Sequence, residues 1–337
     1  MSETLDTGLA GESKSAARKR PTISLIIPVH NEQAAIEPFL TAVDDALAVL
    51  AADYRFKFVF VNDGSTDSTE QIIARIAVER PDICLLNLSR NFGKEAALAA
   101  GLFRAESAAV IPIDVDLQDP PTLIPKMIER WQSGAKIVNA RRSNRGSDSW
   151  LKRVSAKGFY RVFNLLADYP IPSDVGDFRL LDREVVQVIR ELGERSRFNK
   201  ALFSWVGYET DEVSYVRPAR ESGSTAWSYW RLWKLALDGI FASSTTPLRI
   251  WTYIGMSLAL ASFLYSLFIF TRAIAFGVDT PGYASTVILI LTFGGLNMFA
   301  LGIIGEYVGR IYAEVRQRPL YVVRSIIDSD EDSANGS

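Results

Sequence analysis

The polar and apolar positions of this chain alternate in two rhythms. Residues 22–28 form a short apolar, β-branched run closed by a proline, which reads as a buried strand and its exit. Residues 34–50 then carry apolar side chains at helical spacing, and residues 56–61 (Phe-Lys-Phe-Val-Phe-Val) return to strand before Asn62-Asp63-Gly64-Ser65. A helix over 66–80 follows, with Asp67 or Ser65 available as its N-cap. The same reading predicts strands over 83–88, 109–113 and 134–140, and a helix over 94–105. Strands alternating with helices predict an α/β domain built on a doubly wound, largely parallel sheet. Ligands of such sheets gather where strands give way to loops at their carboxyl ends. Four polar clusters fall there: 28–32, 62–65, 89–94 and 114–119.

Toward the C-terminus the pattern changes in kind. Residues 250–270 are 21 consecutive positions without a charge, and residues 280–305 are 26 more. Each run exceeds the roughly 20 apolar residues that carry a helix across ~30 Å of hydrocarbon. Buried core helices are the alternative, but uncharged helices this long are rare in soluble domains. Two transmembrane helices are therefore expected, at 250–272 and 280–305. The link between the runs holds one basic residue, Arg272. The outer flanks carry Arg231, Lys234 and Arg249 on one side and Arg310, Arg316, Arg318 and Arg324 on the other. Positive-inside bias places both flanks, both termini and the N-terminal domain in the cytoplasm. Ahead of the first run, Trp227, Trp230 and Trp233 recur at helical spacing with Arg231 and Lys234 among them, the pattern of an interfacial amphipathic helix. Residues 1–20 lack the apolar core of a signal peptide and read as a disordered tail, as does the acidic end, 328–337. The expected organisation is a tail (1–20), a cytoplasmic catalytic domain (21–216), interfacial helices (217–249), two spans, and a C-terminal segment (306–337).

Composition narrows the chemistry. A length of 337 residues suits about two folding units. With 37 basic and 39 acidic side chains, the net charge of −2 argues against a generic nucleic-acid binder. One cysteine, Cys84, excludes an intrachain disulfide and a cysteine-rich zinc site, and the single histidine, His30, excludes a mechanism needing two imidazoles. The absence of Gly-x-Gly-x-x-Gly and of Gly-x4-Gly-Lys-Ser/Thr leaves dinucleotide-binding and P-loop readings without support.

Asp114-Val-Asp116-Leu-Gln118-Asp-Pro-Pro is the most informative cluster. On an extended segment residues i and i+2 point the same way, so Asp114 and Asp116 present two carboxylates to one place. A cation relieves that crowding, and oxygen ligands with Gln118 as carbonyl donor favour Mg²⁺ or Mn²⁺ over zinc. A helix N-cap with a spare acid is the plainer alternative. The Asn62–Asp67 run is either an Asp-Gly turn into a helix or a nucleotide-recognition loop in which Asp63 accepts from base or ribose. His30, Asn31 and Glu32 are either turn residues or ligand contacts.

These residues resemble a family. Pro28-Val-His-Asn-Glu32, Val61-Asn-Asp-Gly-Ser65, Ser89-Arg-Asn-Phe-Gly-Lys94 and the Asp114–Pro121 cluster are similar to the motif set of family 2 glycosyltransferases. The polyprenyl-phosphate branch is the nearest, through Val175-Gly-Asp-Phe-Arg-Leu180, Leu235-Ala-Leu-Asp-Gly-Ile240 and Gly305-Glu-Tyr-Val-Gly-Arg310. The resemblance implies a GT-A-like fold and a metal at Asp114, Asp116 and Gln118 bridging the diphosphate of a UDP-sugar. It implies that Pro28, Asn31, Glu32 and Asp63 hold the uridine and that Lys94 approaches the base or diphosphate. Two departures stand out: Asn62 occupies a position usually acidic, and Gly223-Ser-Thr225 lacks an expected lysine, for which Arg217 or Arg220 could substitute.

A basic stretch (Arg141, Arg142, Arg145, Lys152, Arg153, Lys157, Arg161) is either a solvated face or the seat of an anionic lipid phosphate, which guanidinium groups suit. The resemblance points to Arg141 and Arg153 as phosphate ligands, with a family serine near Ser155 or Lys157. The expected reaction is inverting transfer of a hexose, glucose first, from a UDP-sugar to undecaprenyl phosphate at the cytoplasmic face of a bacterial inner membrane. Asp116 and Asp177 are the catalytic candidates, Asp177 lying near the sugar or the attacking oxygen. Small residues in the second run (Gly294, Gly295, Gly302, Gly305) permit close helix packing and a homo-oligomer. A processive polysaccharide synthase would carry a Gln-x-x-Arg-Trp segment, absent here, and a non-catalytic membrane scaffold would not need Asp114, Asp116 and Gln118 together.

Overall fold

Strands form where β-branched and aromatic residues alternate, because that rhythm gives each face of a sheet its own apolar row. The computed structural model describes residues 20–144, 175–192, 199–216, 246–276 and 282–328. In chain order its elements are β1 (Thr22–Val29), α1 (Ile36–Leu47), β2 (Arg55–Asn62), α2 (Thr69–Glu79), β3 (Ile83–Leu88), α3 (Lys94–Arg104), β4 (Ala109–Pro112) and α4 (Ile124–Gln132). They continue with β5 (Ile137–Asn144), β6 (Val175–Asp182), α5 (Arg183–Glu191), α6 (Asn199–Trp205), β7 (Thr210–Val216), α7 (Thr246–Phe276), α8 (Tyr283–Val315) and β8 (Val323–Asp328).

The strands form one sheet in the order β7-β5-β6-β4-β1-β2-β3-β8. β1 pairs in parallel with β2 and β4, and β2 with β3, as the alternating pattern predicts. The sheet as a whole is mixed, which corrects the expectation of a largely parallel one. β6 runs antiparallel to both β4 and β5, and β8 runs antiparallel to β3 at the far edge. Neither strand is reached through the short strand–helix repeat that generates parallel neighbours, so the local rhythm gave no warning of their direction.

Apolar residues divide cleanly between the two faces. Ile23, Leu25 and Ile27 of β1 and Phe58 and Phe60 of β2 meet Phe39 and Val43 of α1 and Ile124 and Met127 of α4. Ile26, Val59, Val61 and Cys84 point the other way, against Leu98 and Leu102 of α3 and Val185 and Ile189 of α5. Each fully buried Leu, Ile or Phe contributes ~1.5–3 kcal/mol. At Gly101 a Cβ would lie 2.2 Å from Ile26 Cγ2, so only glycine lets α3 lie this close to the sheet. That approach sets the N-terminus of α3, and Lys94 with it, beside the end of β4.

Some boundaries differ from expectation. α2 starts at Thr69 because Asp67 binds the Thr69 N–H (3.0 Å) and hydroxyl (2.6 Å), keeping residues 66–68 in the loop. β5 starts at Ile137 because Gly134, at φ +114°, closes the turn after α4.

α7 and α8 have 31 and 33 residues, about 46 and 50 Å at ~1.5 Å per residue. Trp251 packs edge-on against Phe299, ring centroids 5.1 Å apart, joining the two helices. Several side chains of both helices lie outside the described residues. Over the described residues, no helix is long and apolar enough to cross a membrane. Of the expected interfacial segment (217–249) and tails (1–20 and 328–337), residues 217–245, 1–19 and 329–337 lie outside the described residues, as do Arg153 and Ser155. Residues 246–249 instead open α7, and Asp328 ends β8 rather than starting a disordered tail.

Candidate active site

The four polar clusters do meet at the carboxyl ends of β1 to β4. The loop after β1 and the loop after β2 are stitched together by hydrogen bonds. Asn31, at φ +56°, donates its N–H to Ser65 Oγ (3.0 Å), while its Oδ1 accepts from the Thr66 N–H (2.8 Å). The Glu32 N–H donates to Thr69 Oγ1 (2.9 Å), and His30 Nδ1 lies 2.9 Å from the Asp63 carbonyl. Pro28 pairs in register with Val61 just ahead of these loops.

Asp63 is buried, and its carboxylate accepts the N–H groups of Phe92 (2.7 Å) and Gly93 (2.9 Å) at the start of α3. Sequence reasoning gave Asp63 to base or ribose. The structure gives it a first duty as a clamp between two loops. Gly64, at φ +64°, allows the clamp to close: a Cβ there would lie 2.5 Å from the Arg90 carbonyl carbon. A side chain at this position would force the loops apart.

A charged cluster lies beside these loops. Val115 is buried while Asp114 and Asp116 on either side are half-buried; β4 has already ended at Pro112 and residues 115–116 lie in a turn, not on the extended segment that was expected. Lys94 Nζ sits 2.7 Å from Asp114 Oδ2 and 3.0 Å from Asp177 Oδ2, joining α3 to the ends of β4 and β6. Desolvation pulls the lysine toward its neutral form, but the carboxylates of Asp177 and Asp114 outweigh it and hold the ammonium charged. Burial pushes the Asp114 carboxyl upward, Lys94 opposes the shift, and Asp177 and Asp119 add to it.

This donor set fits a hard divalent cation in one particular manner. Among the described residues no three His, Cys, Asp or Glu side chains form a ready-made metal cage. Mg²⁺ is commonly held by one or two carboxylates and completed by substrate phosphates and water. Asp114 and Asp116 match that partial set. Asp116 Oδ1 accepts the Gln118 N–H (3.1 Å) across Leu117 at φ +55°, a turn that holds the backbone of residue 118 beside the Asp116 carboxylate.

Three further residues complete the site: Tyr215 and Arg179, which sequence reasoning gave no role, and Arg142, which it named only within the basic stretch. Tyr215 on β7 donates its hydroxyl to the buried Asp119, and Arg142 Nε donates to the Tyr215 oxygen (3.2 Å). Burial, reinforced by the Asp119 carboxylate, pushes the Tyr215 phenol up to about 12, so it stays a donor at neutral pH. The guanidinium of Arg142 stands 3.8 Å from Asp119 and feels Asp177 as well. Its neighbour Arg141 instead pairs with Glu212 at 2.9 Å on the exposed side. Alternation along β5 was the available signal: if one of the pair faces the site, the other does not. Arg179 of β6 is buried, donating to the Gly176 carbonyl (2.7 Å) and lying over the Phe203 ring. It therefore fixes the backbone that carries Asp177.

Residues 24–190 match the glycosyl transferase family 2 profile, and residues 246–311 match a second one, the GtrB C-terminal hairpin. An SfII prophage-derived bactoprenol glucosyl transferase of Shigella flexneri is 48% identical over 302 residues, covering 90% of this chain and 97% of that protein. An uncharacterized glycosyltransferase of Synechocystis sp. is 46% identical over 304 residues, covering 90% and 95%. A solved mannosyltransferase from Pyrobaculum calidifontis, in complex with GDP-Man and Mn²⁺, aligns over 86% of this chain and 88% of its own. Its TM-score is 0.41 and its identity 18%, too slight a likeness to carry weight.

Proposed function

The chain belongs to the family 2 glycosyltransferases, in their polyprenyl-phosphate branch, and from that premise we propose that it transfers glucose from UDP-glucose to undecaprenyl phosphate. The observation that carries this reading is one chain bearing both a family 2 catalytic segment and a GtrB-type hairpin, collinear with a bactoprenol glucosyl transferase over nine-tenths of its length.

The nucleophile is a phosphate oxygen of the acceptor, anionic at neutral pH, so the reaction needs no strong base. It attacks the anomeric carbon as the bond to the UDP oxygen breaks, and a single displacement inverts the configuration. Loops 28–32 and 62–66, held together by Asn31 and Asp63, receive the uridine. Asp114, Asp116 and Gln118 would hold Mg²⁺ or Mn²⁺, which neutralises the departing diphosphate. Lys94 holds Asp114 and Asp177 in place through its two ion pairs, and Asp177 orients the sugar or the incoming phosphate. Arg142, fixed by Tyr215 and Asp119, joins Arg153 and Ser155 in gripping the acceptor phosphate; Arg141 contributes only if it releases Glu212. Positioning of this kind supplies much of the rate.

The hairpin brings the lipid acceptor within reach. We read α7 and α8 as crossing the bilayer together, with the arginines of the two outer flanks, Arg249 on one side and Arg310, Arg316, Arg318 and Arg324 on the other, on the cytoplasmic side of a bacterial membrane. The charge-free runs and large exposed apolar side chains such as Phe263, Leu264 and Ile290 support this placement. Gly294, Gly295, Gly302 and Gly305 leave an open surface on α8 against which a second copy could pack.

The test is thin-layer analysis of lipid extracted after purified protein meets undecaprenyl phosphate and a panel of radiolabelled UDP-sugars. Labelled lipid from UDP-glucose above the other donors, and none from Asp116→Asn, is expected. A polymer that grows with time would mark a processive synthase instead, and no labelled lipid from any donor would overturn the assignment.

A further inference from the structure

We propose that β8, the strand that follows the helical hairpin, positions the loop that receives the nucleotide-sugar, with Asn62, Asn87, Ser325 and the Glu70–Arg324 pair as positioning residues. The inference rests on the reading of residues 62–65 as part of the donor site.

Asn62 and Asn87 lie side by side at the ends of β2 and β3, 1% and 0% exposed. A buried amide must find partners, and these partners form a line. Ser325 Oγ on β8 accepts from Asn87 Nδ2 (3.1 Å), and Asn87 Oδ1 accepts from Asn62 Nδ2 (2.9 Å). Asn62 Oδ1 accepts the backbone N–H of Ser65 (3.0 Å), whose hydroxyl accepts the N–H of Asn31 (3.0 Å). Hydrogen bonds thus run unbroken from the C-terminal strand to both donor loops. This accounts for an amide at position 62, where the family resemblance leads one to expect an acid. An aspartate could accept from Ser65 but could not donate to Asn87, and it would face Glu70.

A second strut runs in parallel. Arg324 NH2 lies 2.6 Å from each carboxylate oxygen of Glu70 in the first turn of α2, and Glu70 Oε2 lies 3.5 Å from Asn62 Nδ2. β8 is itself anchored at its end, where the Asp328 side chain, 1% exposed, meets Lys57 and Arg104 at 3.0 Å each. The strand leaving the hairpin is therefore a fixed reference for the loop. Ser325 acts on the site from 238 positions beyond Asn87, and Arg324 from 254 beyond Glu70.

Initial rates of the purified full-length enzyme against UDP-glucose and undecaprenyl phosphate, with UDP binding by calorimetry, test the proposal. Ser325→Ala removes one exposed hydroxyl and should raise KM for UDP-glucose roughly two- to tenfold. The double variant Arg324→Ala/Ser325→Ala should exceed either single change, and Ser325→Thr should restore the wild-type value. KM for the lipid acceptor should stay within twofold throughout. Arg104→Ala, which loosens the strand's anchor away from the loop, should lower the melting temperature with no selective rise in donor KM. Unchanged donor KM and UDP affinity in the double variant, beside a wild type that binds UDP, overturns the proposal alone. So does a parallel rise in both KM values tracking a fall in melting temperature. A wild type that binds no UDP overturns the donor-loop reading and this inference with it.

Discussion

Phe58 and Phe60 of the sheet domain are 2% and 0% exposed, whereas Phe263 and Phe268 of α7 are 66% and 57% exposed. The same side chain is spent in opposite ways in two regions of one chain. In the sheet domain, period-2 alternation assigns each aromatic ring to a face, and a helix covers that face. In the hairpin, apolar residues fill long charge-free runs, and many of the described ones stay exposed beside a single neighbouring helix. At roughly 25 cal/mol per Å² of apolar surface, leaving such rings in water is costly. The sheet domain makes its own interior. The exposed rings of the hairpin would be relieved by apolar surroundings, which is the physical content of the proposal that it is a membrane element.

The sharpest separation of the two regions comes from the site. Asp116→Asn removes one carboxylate from the loop after β4 and leaves the hairpin's own sequence unchanged. It should lower transfer roughly a hundredfold or more, corresponding to several kcal/mol of lost charge stabilisation. The protein should still fractionate with membranes. Next comes the sheet core: Phe60→Ala should cost ~3–5 kcal/mol in stability, read as a lowered denaturation midpoint of the sheet domain.

Two surface substitutions then set exposed residue against exposed residue. Leu264 in α7 is 55% exposed and Val78 in α2 is 82% exposed. Leu264→Arg should disfavour membrane insertion by ~2.5–3.5 kcal/mol, seen as a reduced membrane-integrated fraction. Val78→Arg should change stability by no more than ~0.5 kcal/mol, because its surroundings are water. Equal effects would erase the distinction drawn between the regions.

The smallest effect is a pH slope. Burial, with the Asp328 carboxylate, pushes the Cys84 thiol from 9.0 up to about 11. A group whose pKa is raised on folding contributes stability fully below its unfolded value and loses it as pH rises through the folded one. Wild-type stability should therefore fall between pH 9 and 11 by more than that of Cys84→Ala, whose curve should be flatter there. Parallel curves would mean that the thiol titrates as it does in the unfolded chain.

Much of the sheet domain was legible because its signals are local. β1 to β4, the helices between them and the four polar loops all follow from alternation, spacing and turn residues within a few positions of one another. The remainder depends on pairing partners far away in sequence. β6 carries Asp177 and Arg179 inside an otherwise apolar run, and β8 carries Arg324 and Ser325, so neither shows clean alternation. The choice between Arg141 and Arg142 turns on register, and the ladder between β5 and β6 shifts between Asn139 and Arg141. Asn62 read as a turn residue until β3 and β8 supplied its partners. The polar Asn87 within the strand Ile-Cys-Leu-Leu-Asn-Leu was the one local hint that a further strand would lie alongside.

The central claim is that a water-built catalytic domain passes sugar to a lipid held beside a membrane-built hairpin. Purified protein reconstituted in vesicles containing undecaprenyl phosphate and given UDP-[¹³C]glucose tests it most directly, with the product read by NMR after solvent extraction. The account predicts glucose in the lipid fraction, joined through phosphate with the β configuration inverted from the α-linked donor. Label in the lipid with the α configuration, or label recovered only as free glucose in water, would contradict it.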